Sequence, residues 1–238
     1  MRNKMPKYVI WENVKAVTCK KHKHNFDKYL NTLEELGYRN YWKVLNSKDY
    51  GVPQHRERVF VVSIRKDICK DSFKFIKRKI YRTSTMKDIL EDGGVNEKYY
   101  LKDNYSKELE RHFEMDLNKR DTNKTTGIFK LGEIQNPKCF MMNNRVFSKD
   151  SVSPTLTTSS YNAPKIVECR IRKLTPLEFW RLMGFGDDYL KVRAILREKF
   201  YKGRDEADSQ LYKMAGNSIV VNVSEGILSE LFAMSIQY

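Results

Sequence analysis

The chain has no long hydrophobic run. Nowhere in its 238 residues does an apolar stretch reach the roughly 20 residues that a bilayer-spanning helix needs. Its first twenty residues carry no apolar core of a secretory leader. A cytoplasmic protein with no membrane contact is therefore expected. Cysteine is scarce: four, at 19, 69, 139 and 169, with no Cys-x-x-Cys pair. That spacing argues against a redox pair or a four-cysteine zinc site and suits reduced thiols. Cys19-x-x-His22-x-His24 has the look of metal ligands, but no second cluster of matching spacing accompanies it, so no metal is expected. Acidic residues are also in deficit. Thirty Asp and Glu against 45 Lys and Arg leave a formal charge of +15. Such an excess favours a polyanionic partner, because Lys and Arg displace counterions from phosphate backbones. A generally Lys-rich, solvated surface would give the same count, and charge alone leaves both readings open.

What is present is enough to fold. Forty per cent of the residues are apolar, and 14 Tyr, 12 Phe and three Trp can fill a core. Tyr8-Val9-Ile10-Trp11 suits a buried strand. Phe26, Tyr29, Leu30, Leu33 and Leu36 fall at helical spacing, with Gly37 where a C-terminal cap belongs. Tyr41–Leu45 and Val59–Ile64 read as further strands, the second as a sheet interior. Strand, helix, strand, strand is an α/β pattern, and three strands are too few for a complete Rossmann-like sheet. Beyond residue 66 come Lys70, Lys74, Lys77, Arg78, Lys79 and Arg82, a basic stretch. Residues 84 to 170 show no sustained period and hold turn formers at Asp92-Gly93-Gly94, Asn118 to Gly127 and Asn143-Asn144. After about 170 the helices return. Thr175-Pro176-Leu177-Glu178 starts one with a capping box, and Gly184 ends it. A second helix is expected over 187–200. A third, apolar one is expected from Ser218 to Ile236, buried on most sides.

Several short motifs carry more than structure. Glu12-Asn13-Val14 lies at the carboxyl end of the first strand, where catalytic groups of open α/β sheets collect. Gln54-x-Arg56-x-Arg58 places both arginines on one side of an extended segment, and it follows Leu45-Asn46-Ser47-x-x-Tyr50-Gly51-Val52-Pro53. Ser153-Pro154-Thr155-Leu156-Thr157-Thr158-Ser159-Ser160 is rich in hydroxyls. Leu174-Thr175-Pro176-x-Glu178-x-x-Arg181-Leu182-Met183-Gly184-Phe185 and Gln210-Leu211-Tyr212-Lys213-x-Ala215-Gly216-Asn217-Ser218 complete the set. Each has a plainer reading alone: an exposed Glu, a salt-bridged edge strand, a capped loop, an ordinary helix end.

In this order and register the motifs resemble the later motifs of the DNA cytosine-5 methyltransferases, over about residues 8 to 235. The resemblance implies an α/β fold. It comprises a partial Rossmann-like S-adenosylmethionine methyltransferase sheet and a small irregular, mostly β target recognition domain. The expected division is 1–82 for part of the catalytic domain, 83–170 for the recognition domain, and 171–238 for helices returning to the catalytic domain. Glu12 is then expected to face N3 and the amine of the target cytosine, Arg58 its O2, and Arg56 to support the loop. Thr155, Thr157 and Thr158 are expected on the DNA backbone. Asn217 and Ser218 are expected at a helix N-terminus, cradling the carboxylate of S-adenosylmethionine. The segment from Leu174 is expected to be structural. Gly186 stands where the family often has Pro.

The family's earlier motifs are lacking. No Gly-rich turn follows an early strand, and none of the four cysteines follows a proline or precedes a glutamine. The resemblance then implies a subunit or fragment acting on double-stranded DNA. A partner chain in a heterodimer supplies the cofactor loop and the nucleophilic Cys, in a bacterial or phage-infected cell, for restriction-modification or for evasion of host defence. Two other readings stay open: a non-catalytic DNA-binding module from a degenerate or truncated methyltransferase, and a truncated reading frame of a complete enzyme.

Overall fold

The computed structural model describes residues 3–76, 84–101, 121–123, 127–134, 141–168, 170–186, 188–204 and 207–236. Lys77, Arg78, Lys79, Arg82, Cys139, Cys169, the expected boundary at 82/83 and most of the turn at 118–127 lie outside them. The chain forms two units, Met1–Tyr50 with Arg56–Ile80 and Asn222–Tyr238, and Gly51–His55 with Tyr81–Val221. In this division residues 171–221 group with the second unit, and Asn222–Tyr238 with the first.

The first unit is a three-stranded sheet, β1 (Tyr8–Val14), β2 (Tyr38–Asn46) and β3 (Glu57–Arg65), ordered β1-β3-β2. The apolar run of β3 makes it the centre, buried on both faces. It runs antiparallel to both neighbours, so β1 and β2 are parallel to one another. Between them runs α1 (Lys23–Glu35), stopped at Gly37 with φ +84, a left-handed conformation that glycine adopts without a Cβ clash. Phe26, Tyr29 and Leu30 of α1 pack with Trp11, Val44, Val59 and Val61. Trp11 lies 4.9 Å from the Tyr29 ring and 5.9 Å from Phe26. Strand alternation puts Tyr8, Ile10, Glu12 and Val14 on the opposite face.

The second unit holds a five-stranded sheet of short strands. These are β4 (Asp121–Asn123), β5 (Ile128–Glu133), β6 (Arg145–Phe147), β7 (Lys165–Val167) and β8 (Ile171–Lys173), in sequence order. All pairs are antiparallel except β6 with β7. Ile134, Val146 and Ile171 form its buried cluster. The helices are α2 (Pro176–Arg181), α3 (Asp188–Lys199) and α4 (Asp208–Asn217). Thr175 and Glu178 make the expected reciprocal capping box of α2. Beneath it, Arg172 and Glu178 are both fully buried and joined by two 2.8 Å hydrogen bonds. Burial pulls the Arg172 pKa down, but the forked bonds to Glu178 and the bond to Glu168 outweigh it and leave the pKa raised.

The last helix, α5, spans Val221–Ile236, three residues shorter at its start than the sequence suggests. Ser218 instead closes α4, its Oγ donating to Met214 O at 2.7 Å. Nor is α5 buried on most sides. Val223, Ile227 and Leu231 are buried, whereas Leu228 and Phe232 are exposed, Phe232 by 61%. Met234 shares with Tyr8 and Ile64 the wall of a cleft of about 320 Å³. Among the described residues no helix is long and apolar enough to cross a membrane.

Gly216 in α4 is required by a close approach. A Cβ there would sit 2.4 Å from the Thr157 carbonyl oxygen, a backbone atom. Gly216→Ala is therefore expected to cost about 1–3 kcal/mol, the usual price of overpacking. Chemical denaturation of the two proteins measures it, and an unchanged midpoint would show that the Thr157 backbone moves aside freely.

Candidate functional site

Three of the expected residues gather in the first unit. Glu12 stands on β1 opposite Phe60, and Arg58 on β3 opposite Val14. The two are diagonal neighbours on one face, and Arg58 Nε lies 3.4 Å from Glu12 Oε1. Both side chains are less than a fifth exposed. Arg58 Nη1 also donates to Glu57 O at 2.7 Å. Arg56 immediately precedes β3 and is buried. Its backbone is held at both ends: its N–H donates to Asn46 Oδ1 at 3.2 Å, and its carbonyl accepts from Ser47 N at 3.1 Å. Asn46 and Ser47 belong to the quoted motif, so that motif fixes where β3 begins.

The electrostatics follow from shared burial. Desolvation raises the Glu12 pKa, and the Arg58 charge and then the Arg56 charge oppose it without cancelling it. Burial lowers the Arg58 pKa, offset in part by Glu12. Arg56 is pulled down to about 10 by burial first and by the like charge of Arg58 second, with Glu12 opposing. The folded state thus holds the Glu12 proton more tightly than the unfolded chain does. The stability this adds is present below the unfolded carboxylate pKa and is lost as pH rises through the raised folded value. Arg58→Met keeps apolar bulk but deletes the larger opposing charge, so the Glu12 midpoint should move further up. A carboxyl carbon NMR titration reads this directly, and a downward shift would refute the assigned balance.

The remaining expected residues lie in the second unit. Thr155 Oγ1 donates to His55 O at 2.7 Å, so its proton is committed within the protein. Thr157 and Thr158 are exposed, their backbone lying against Gly216. Asn217 and Ser218 stand at the carboxyl end of α4, not at a helix N-terminus. That end carries the negative pole of the helix dipole, which repels a carboxylate. The N–H of Val221, where α5 starts, is bonded to Met183 O at 3.0 Å. The helix N-terminus expected at Asn217 and Ser218 is therefore the carboxyl end of α4 instead. Among the described residues no three of His, Cys, Asp and Glu gather to hold a metal ion.

Sequence reasoning gave Gln54 no task. Its side chain is fully buried, with Nε2 donating to Leu182 O at 2.7 Å and Oε1 accepting from Leu156 N at 3.2 Å. Pro53 O and His55 N bond to Ser153, each at 2.8 Å. Segment 51–55 is thus stitched to residues 153–156. Its glutamine two residues ahead of an arginine was a legible signal, but its partners are about 100 and 130 residues away.

The family model for C-5 cytosine-specific DNA methylases matches residues 1–233. The chain belongs to that family. It is 37% identical over 232 residues to the type II methyltransferase M2.ScrFI of Lactococcus lactis subsp. cremoris, covering 98% of this chain and 56% of that relative. With the type II methyltransferase M.HhaI of Haemophilus parahaemolyticus it shares 30% over 236 residues, covering 95% of this chain and 63% of the relative. The chain thus spans little more than half the length of the first of these relatives. Among solved structures, S. pombe Dnmt2 methyltransferase superposes with a TM-score of 0.62 at 16% identity, covering 99% of this chain and 69% of that one. A putative DNA modification methyltransferase from an E. coli prophage gives 0.61 at 19% identity, covering 99% and 71%. These likenesses establish an α/β methyltransferase fold with mixed sheets.

Proposed function

We propose that this chain supplies the target-cytosine contacts and the DNA-recognition part of a DNA cytosine-5 methyltransferase. A complementing chain brings the S-adenosylmethionine loop and the nucleophilic Cys. The observation that carries the reading is the Glu12–Arg58 pair near the carboxyl end of β1, in a sequence with no cysteine in a Pro-Cys-Gln context. C6 of cytosine is a poor electrophile until charge can develop on the ring. As a thiolate adds to C6, the displaced electron pair moves toward N3, and a carboxyl that holds its proton at raised pH can neutralise it there. Arg58 stays charged and can bind O2 by its planar donors. Arg56 adds positive charge and sets the start of β3. The target base must leave the duplex stack to reach such a pair.

The outer edge of β1 supports the need for a complement. Among the described residues no strand pairs there, and Tyr8, Ile10 and Val14 beside it are exposed. An unpaired, apolar strand edge invites another strand. Reacting groups of an open α/β sheet sit at the carboxyl ends of its strands, so a strand carrying the nucleophile toward Glu12 would add parallel to β1. Thr157 and Thr158 offer hydroxyls to phosphate oxygens. Most of the methyl donor's site is assigned to the complementing chain, with Asn217 and Ser218 completing it from this one.

The test is tritiated methyl transfer to duplex DNA, by this chain alone and with the product of the adjacent upstream reading frame. Activity only in the mixture supports the reading. DNA binding with no activity in either sample favours a degenerate recognition module. Activity from this chain alone overturns it.

A further inference from the structure

In the second unit a short loop stands out from the surface between two buried anchors. Leu156 and Ala163 are each 2% exposed, and none of the six residues between them is buried. Those six are Thr157, Thr158, Ser159, Ser160, Tyr161 and Asn162. None is charged, and every one carries a hydroxyl or an amide. Tyr161 is 80% exposed, the highest value for any large apolar side chain among the described residues. The loop is nonetheless held firmly. The Thr157 carbonyl is pressed on Gly216. Ser159 Oγ accepts from Tyr161 N at 3.3 Å, Ser159 O from Asn162 N at 3.1 Å, and Ser160 O from Ala163 N at 3.4 Å.

Thr157 and Thr158 can meet phosphate oxygens, which positions a duplex without reading it, and the loop has no Lys or Arg to add nonspecific affinity. Hydroxyls and amides suit base edges, whose donors and acceptors carry sequence information. A Tyr ring offers a large amphipathic face with few torsions to freeze, and a pre-set backbone lowers the ordering cost of binding. We infer that Tyr161 is a specificity-determining residue whose ring packs against bases of the bound duplex. The inference rests on the DNA-recognition reading above and adds to it the residue that touches bases.

The experiment uses the full chain, with its complementing chain where one is required for binding. Wild-type protein selects its preferred duplex from a randomised pool. Fluorescence anisotropy then compares that duplex with a scrambled one of equal length and composition. Tyr161→Ala should lose about tenfold on the selected duplex, the scale of one lost base-edge contact in a groove. It should keep its affinity for the scrambled duplex and the same dependence on salt, since no charge is removed. Tyr161→Phe should behave as wild type. The melting temperature of each variant should be unchanged, as the ring is exposed. A Tyr161→Ala protein that retains the wild-type preference overturns the inference and leaves the recognition reading standing. A Tyr161→Phe protein that weakens as much as Tyr161→Ala on both duplexes also overturns it, pointing to a hydroxyl on phosphate. Wild-type protein with no preference between the duplexes removes the recognition reading, and the inference with it.

Discussion

Glu12→Gln should lower methyl transfer by the complemented enzyme about 10²–10⁴-fold, the range for loss of a positioned general acid, while duplex binding stays essentially unchanged. The substitution preserves shape and leaves an amide able to hydrogen-bond the ring. What it removes is a proton that can be given up as charge arrives at N3. The Glu12 carboxyl is suited to hold that proton because burial raises its pKa against the pull of Arg58 and Arg56. Single-turnover methylation at saturating DNA isolates the step from binding. A Glu12→Gln rate within a few-fold of wild type would remove Glu12 from the chemistry. Loss of DNA affinity in parallel with rate would make it a binding residue instead.

Glu178→Ala should destabilise the second unit by about 3–5 kcal/mol, the cost of leaving one partner of a buried ion pair behind. Glu178 accepts from Arg172 Nη1 and Nη2 at 2.8 Å each, from Thr175 N at 2.7 Å and from Glu91 N at 3.1 Å. Removing it strands a guanidinium with no exposure and two backbone N–H groups. Glu168, 2.6 Å from Arg172 Nε, remains as partial compensation. Urea denaturation followed by Trp180 fluorescence reads the loss, because Trp180 is buried in this unit with its Nε1 on Leu211 O. Arg172→Met with Glu178→Leu should recover part of it by replacing the pair with apolar bulk. The recovery stays incomplete because Thr175 N and Glu91 N still lack their acceptor. A Glu178→Ala protein as stable as wild type would mean that the fork is not what holds α2 to the sheet.

The motifs differ in how much of their role could be read in advance. Thr175-Pro176-x-Glu178 was legible as a helix start because a capping box closes within four residues. That Glu178 also serves as the buried counter-charge of Arg172 was not, since burial depends on what else covers the site. Glu12 and Arg58 could be nominated from motif context, but their diagonal contact required the register of β1 on β3. Asn217 and Ser218 show the opposite case. A motif next to an apolar run suggested a helix start, whereas the helix that claims them is the one before.

Local chemistry in the sequence determined the α1 stop at Gly37, the cap of α2, the central placement of the apolar β3 and the membership of the family. It also excluded a nucleophilic cysteine of the expected motif, since that statement needs only nearest neighbours in the chain. Tertiary structure alone decided the antiparallel direction of β3, the stitching of Gln54 to Leu156 and Leu182, and the contact of Gly216 with Thr157. It also decided which face of α5 is left exposed. The physical reason is range. Caps, turns and periodicity arise from atoms a few residues apart, whereas these features join groups about 10 to 170 residues apart, whose meeting is set by how complete elements pack.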